Sequence, residues 1–189
     1  MRPTDPVVKH ADFDITVLPA ELTPAEAKAV SAGIGVVVAD DGNVLGTVTA
    51  AHLAGVDAAS LADWPGLSPA IAVDAELTLA ELANSPEITL LELDIPWLVL
   101  TRDGAPIGAL AATRVADYLA SGEHPLPDNP MGPWGSATDS QLPGRVRLAA
   151  ARVTCAECGH RNALDYWNPR RPPRCANPDR EPHDLTLGG

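Results

Sequence analysis

The chain has 189 residues, 46% hydrophobic and 20% charged, which fits a folded protein and excludes general disorder. No run approaches the roughly 18 consecutive apolar residues that would suggest a membrane-spanning helix. The net charge of −12 is uneven, with 5 basic and 20 acidic side chains in residues 1–144 and 8 and 5 in residues 145–189, so an acidic body repels nucleic acid and only the tail could attract it.

Met1-Arg2-Pro3-Thr4-Asp5 shows no basic stretch followed by an apolar one, so a cytoplasmic protein is expected. Lys occurs twice against eleven Arg, a bias that resembles a GC-rich bacterial genome. An internal repeat then organises the first 120 residues. Ala20-Glu21-Leu22-Thr23-Pro24-Ala25-Glu26 recurs as Ala75-Glu76-Leu77-Thr78-Leu79-Ala80-Glu81. Asp41-Gly42-Asn43-Val44-Leu45-Gly46 recurs as Asp103-Gly104-Ala105-Pro106-Ile107-Gly108, and the change in offset places about seven extra residues near Ser85–Ile95.

Each repeat opens on a short apolar strand, Ile15-Thr16-Val17 or Ile71-Ala72-Val73. Thr23 and Thr78 stand as helix caps with Glu26 and Glu81 three residues on, the spacing of a capping box, and Pro24 fits a first helical position. A β-rich run follows, Ile34–Ala39 or Trp97–Thr101, then an Asp-Gly turn and a second strand, Val44–Val48 or Pro106–Leu110. A short helix, Ala50–Ala54 or Ala112–Ala120, closes each unit. The expected architecture is mixed α/β (α+β), two β-α-β-β-α repeats over residues 7–60 and 61–120.

The stretch from Val36 to Thr49 and its partner Leu98–Ala111 resemble CBS (cystathionine β-synthase) domains. The resemblance covers about residues 7–120 and implies a pseudo-twofold pair that commonly dimerises, binds adenine nucleotides between its repeats, and regulates an attached or partner protein without catalysis. The family's nucleotide signature is a Gly, a Ser or Thr three residues later, and an Asp three residues after that. Gly46 and Thr49 match it, but His52 replaces the Asp. In the second repeat Gly108 matches, while Ala111 and Arg114 replace the hydroxyl and the acid. A neutral His52 could accept a hydrogen bond and Arg114 could meet a phosphate, so Gly46, Thr49, His52, Gly108 and Arg114 are the candidate ligand contacts.

Residues 121–144 hold five prolines and four glycines and read as a linker or extended arm, with Trp134 a possible anchor. A strand over Arg145–Thr154 then leads into Cys155-Ala156-Glu157-Cys158-Gly159-His160, a C-x2-C-G knuckle of the zinc-ribbon kind. Cys175 is the third cysteine and His183 the expected fourth ligand, with His160 and Asp179 as alternatives, since Pro178 stands where a second C-x2-C would need its last Cys. Residues 145–189 are therefore expected to form a zinc-ribbon-like module, because so small a unit needs a staple and three thiolates with an imidazole make a closed, structural zinc site. Tyr166, Trp167, Arg170, Arg171 and Arg174 give this tail the one place where nucleic acid could bind.

No phosphate-binding P-loop, H-E-x-x-H or H-x-E deaminase pattern is present, and Gly33-Ile34-Gly35 has Val38 where a dinucleotide loop needs its last Gly. No catalytic residue is expected. The sequence points to a regulatory or adaptor protein: a homodimer through its repeats, sensing an adenine nucleotide or related ligand, or else a ligand-free scaffold that docks an unknown protein partner.

Overall fold

The computed structural model describes residues 2–121 and 151–187. The expected linker, Trp134 and the start of the expected strand at Arg145–Leu148 lie outside the described residues.

The first repeat comprises β1 (Ile15–Pro19), α1 (Pro24–Val30), β2 (Ile34–Val38) and β3 (Val44–Thr49). The second comprises β4 (Ala70–Asp74), α2 (Leu79–Ala83), β5 (Trp97–Arg102), β6 (Ala105–Ala111) and α3 (Ala112–Ala120). Each forms a three-stranded sheet in which the first strand runs parallel to the second and the second antiparallel to the third. A β-bulge falls at the same place in both, after Val37 and after Leu100. The seven extra residues of the second repeat are accommodated by a 3-10 stretch, Pro86–Leu93.

Local chemistry accounts for these elements. Both capping boxes close: Thr23 accepts from the Glu26 amide while Glu26 accepts from the Thr23 amide, and Thr78 and Glu81 do the same. Asp103 and Gly104, at φ 51° and 80°, make a two-residue connection between β5 and β6, the positive-φ pair that matches the twist of a hairpin. The first repeat turns more widely over residues 39–43, where the Asp41 carboxylate accepts from the Asn43 amide at 3.0 Å.

One expected element is corrected. Ala50–Ala54 is a run of turns rather than a helix. Only Leu53 of that segment is buried, and Gly55 at φ 74° ends it after one turn. Its counterpart α3 buries Val115 and Tyr118 three residues apart and so has a face to pack.

The two sheets meet across a small apolar cluster containing Val36 and Val99, with Ala70 and Ile15 beside them. These are equivalent positions of the two repeats, so the pairing is pseudo-twofold. The repeats also exchange the segments that lead into their first strands. The Asp12 amide donates to the Ala109 carbonyl at 2.7 Å and the Ala109 amide donates back at 2.9 Å. The Thr47 amide donates to Ser68 at 2.8 Å. Thr47 and Ala109 each follow the glycine of the expected ligand signature.

The tail adds β7 (Ala151–Thr154) and β8 (Arg161–Leu164), an antiparallel pair. Its inner face buries Ala151, Val153 and Leu164 in the same cluster as Leu90, Leu98 and Val115 of the second repeat. The Trp167 amide donates to Thr89 Oγ1 at 2.8 Å and fixes the tail to the 3-10 stretch. Among the described residues no helix is long and apolar enough to cross a membrane.

Candidate metal centre and ligand cleft

Three short pieces of tail bring Cys155, Cys158, Cys175 and His183 together, their ligand atoms all within 4.8 Å of one another. Cys155 ends β7. Gly159, at φ 73°, lets the chain fold back so that its amide donates to the Cys155 carbonyl at 2.8 Å. The Cys155 amide donates to the His160 carbonyl at 2.9 Å, which closes the knuckle. On the far side the Cys175 amide donates to the His183 carbonyl at 2.9 Å and the Leu185 amide to the Pro173 carbonyl at 2.8 Å. That short antiparallel contact sets the third and fourth groups opposite the knuckle.

The spacing suits a tetrahedral metal. Cys158 Sγ lies 3.5 Å from Cys175 Sγ, and Cys155 Sγ lies 3.6 Å from His183 Nε2. Metal–sulfur bonds of about 2.3 Å and metal–nitrogen bonds of about 2.0 Å at tetrahedral angles require sulfur–sulfur edges of about 3.8 Å and sulfur–nitrogen edges of about 3.5 Å. The three cysteines are free thiols. His183 Nδ1 lies 2.9 Å from the Glu181 carbonyl, which holds the proton on Nδ1 and leaves Nε2 free to ligate.

The surroundings prepare sulfur for a cation. The Thr186 amide, followed by those of Cys158 and Glu157, points at Cys155 and brings its thiol down to about 6 in spite of burial. The Asn177 side chain and then the His160 amide lower Cys158. Burial raises Cys175, partly offset by the Asn177 amide and the Asn162 side chain. The Glu181 carbonyl and then the Cys155 sulfur push His183 up to about 9.

Asn162 and Asn177 were not singled out in the sequence. Asn162 is 3% exposed; its Nδ2 donates to the His160 carbonyl at 3.0 Å and to Cys175 Sγ at 3.5 Å, and its Oδ1 accepts from the Ala176 amide at 2.7 Å. One buried amide thus braces both halves of the centre. Its signal was alternation along β8, where Asn162 shares the inward face with Leu164. The alternatives His160 and Asp179 lie outside the quartet: His160 serves it through its backbone, and the Asp179 amide donates to Asn177 Oδ1 at 2.9 Å.

The ligand candidates of the repeats are placed differently. A Cβ at Gly46 would strike the Ser68 carbonyl oxygen and lie 2.8 Å from Leu67 Cγ, and one at Gly108 would lie 3.1 Å from the Asp12 carbonyl oxygen. Both glycines make room for the exchanged leading segments. Thr49 ends β3, and its hydroxyl accepts from the His52 amide at 3.4 Å, while the His52 side chain is exposed. Arg114 on α3 donates through Nη1 to the His10 carbonyl at 3.2 Å. Of the tail's aromatic and basic groups, Tyr166 is exposed but Trp167 packs against the core.

No protein-family model matches this chain, and no curated protein does. Solved structures do match. The CBS domains of a transcriptional regulator from Streptococcus pneumoniae are 13% identical over 59% of this chain and 97% of that one, with a TM-score of 0.41. A hemolysin-like protein containing a CBS domain, from Oenococcus oeni, is 12% identical over 61% and 90%, with a TM-score of 0.44. The cytosolic domain of the Mg2+ channel MgtE in complex with ATP is 17% identical over 60% and 48%, with a TM-score of 0.44. Several of the matching structures are of CBS domains. The paired repeat is legible independently of them, in this chain's own strand order, bulges and exchanged segments.

Proposed function

We propose that the chain is a non-catalytic regulatory or adaptor protein, a paired-repeat body carrying a tail held by a structural zinc ion. The observation that carries this reading is the Cys3His quartet, two of whose members, Cys155 and Cys175, are buried in the same core as the second repeat. Cys155, Cys158, Cys175 and His183 would hold the metal, and four protein ligands leave no open position for substrate or water. Zinc bound there supplies a cross-link between the knuckle and the 173–185 segment. The chain's own groups orient it through the Glu181 carbonyl, Asn162 and the backbone amides.

The body is proposed to receive an adenine nucleotide or related ligand at Thr49 and His52, where the turn after β3 leaves a hydroxyl and an exposed imidazole. Phe13, Val17 and Val30 are exposed and give the first repeat apolar surface for a second copy of the chain or a partner protein. The second reading, a scaffold without nucleotide, is favoured at the other repeat, where Ala111 offers no hydroxyl and Arg114 is tied to His10. Metal analysis should find one zinc per chain. A thermal-shift series with AMP, ADP and ATP on that zinc-loaded protein separates sensor from scaffold: a saturable rise lost in Thr49→Ala supports nucleotide sensing, and no rise supports the scaffold. Zinc-free folded protein overturns the metal assignment.

A further inference from the structure

A cleft of about 260 Å³ lies where both repeats and the tail meet. Its walls include Leu45 of β3, Leu67 from the segment leading into β4, Leu93 of the 3-10 stretch, and Arg152 and Arg161 of the tail. None of the ligand candidates read from the sequence lines it.

The two arginines share the outer face of the β7–β8 pair. Thr154 pairs with Arg161 and Arg152 with Ala163, so the guanidiniums sit diagonally across the strands on the face opposite the buried Val153 and Asn162. Neither forms an ion pair among the described residues; the three ion pairs there are Lys9–Asp5, His10–Asp5 and Arg102–Glu76. Acidic groups are nearby, Asp63 for Arg161 and Asp41 for Arg152, but outside ion-pair distance. Arg161 is held in place by donating through Nη2 to the Trp64 carbonyl at 3.2 Å. Both guanidiniums are partly buried on one face, and the nearby Asp63 and Asp41 attract them without pairing with them. A dianion placed between them would be held by both, and the planar guanidinium fork suits phosphate oxygens. The leucines of the lining suit an apolar body.

We propose that this cleft binds a small organic phosphate monoester, its phosphate between Arg152 and Arg161 and its apolar part against Leu45, Leu67 and Leu93. Such a ligand touches both repeats and the tail at once. It would therefore favour the arrangement in which all three are docked. This site is separate from the one proposed at Thr49.

Calorimetric titration of the full, zinc-loaded chain with phenyl phosphate tests it, with inorganic phosphate and phenol as companion probes. One saturable site per chain is expected, weakened about tenfold or more in Arg152→Gln and in Arg161→Gln. Arg152→Lys should fall between wild type and Arg152→Gln, because it keeps the charge and loses the fork. Should loss of the Trp64 contact unfold Arg161→Gln, Arg152→Gln carries the test, since Arg152 braces no backbone group among the described residues. No binding of phenyl phosphate, or equal affinity in Arg152→Gln, overturns the proposal. So does binding lost in Thr49→Ala and kept in Arg152→Gln, which moves the phosphate to the first repeat. Inorganic phosphate or phenol binding as tightly as phenyl phosphate also overturns it, because either removes one wall from the recognition.

Discussion

The two repeats share one topology, one pair of capping boxes and one bulge, yet they are anchored differently. The first closes over a core of seven buried residues, filled at its open end by Leu53 and Leu61 from the irregular segment after β3. The second contributes to a cluster of twenty, because α3, the 3-10 stretch and the tail all pack onto it. Duplicated strands thus set the frame, while the segments between and after them decide where stability is held. The second repeat is the one joined to the metal centre, so disturbance of the metal should reach it first and the other repeat later.

The largest test of that asymmetry is removal of the metal. Cys155→Ser with Cys158→Ser, or exhaustive chelation, should release zinc and lower the melting temperature by roughly 15 °C, equivalent to about 5 kcal/mol for a chain of this size. Hydrogen exchange should show protection falling in β5, β6 and α3 as well as in β7 and β8, with β1–β3 largely retained. Unchanged protection in the second repeat would show that the shared core does not transmit the loss.

Leucine truncation sharpens the contrast. Leu61→Ala and Leu90→Ala each remove a fully buried side chain and should each destabilise by about 3 kcal/mol in denaturant titration. Only Leu90→Ala should also speed zinc transfer to a chromophoric chelator. Equal zinc retention in the two variants would argue for a tail independent of the body. A third pair compares the crossing glycines. Gly46→Ala forces a methyl onto the Ser68 carbonyl and should destabilise by about 2 kcal/mol, whereas Gly108→Ala meets Asp12 at a looser 3.1 Å and should fall to about 1 kcal/mol. The smallest effects belong to the capping threonines. Thr23→Ala and Thr78→Ala should each lower stability by about 1 kcal/mol, nearly alike, since both boxes have the same geometry.

Much of this frame was legible in the residues. Apolar runs bounded by Asp-Gly turns marked β2, β3, β5 and β6, and the Thr-x-x-Glu spacing marked α1 and α2 within a residue. These signals are local, and local signals survive in a sequence. Ala50–Ala54 misled because alanine favours a helix, while the segment has a single apolar side chain to bury and Gly55 to stop it. The C-x2-C-G spacing and the isolated Cys175 and His183 suggested a quartet before any geometry was known. Asn162 and Asn177 stayed hidden, because an amide that braces a thiolate has no fixed spacing from it. The glycines of the expected nucleotide signature were legible as necessary. Their role beneath a crossing backbone was not, because it depends on contacts between residues about 20 to 100 positions apart in the chain.

The exchanged leading segments also bear on how such a molecule can be divided. Asp12 lies on the last strand of the second repeat, and Ser68 lies on the last strand of the first. A fragment encoding one repeat alone would have an unlaid arm and an uncovered edge. Two such fragments would complement each other arm for edge. The present chain has the form of a swapped pair whose halves have been joined, and separating them should yield association before it yields independence.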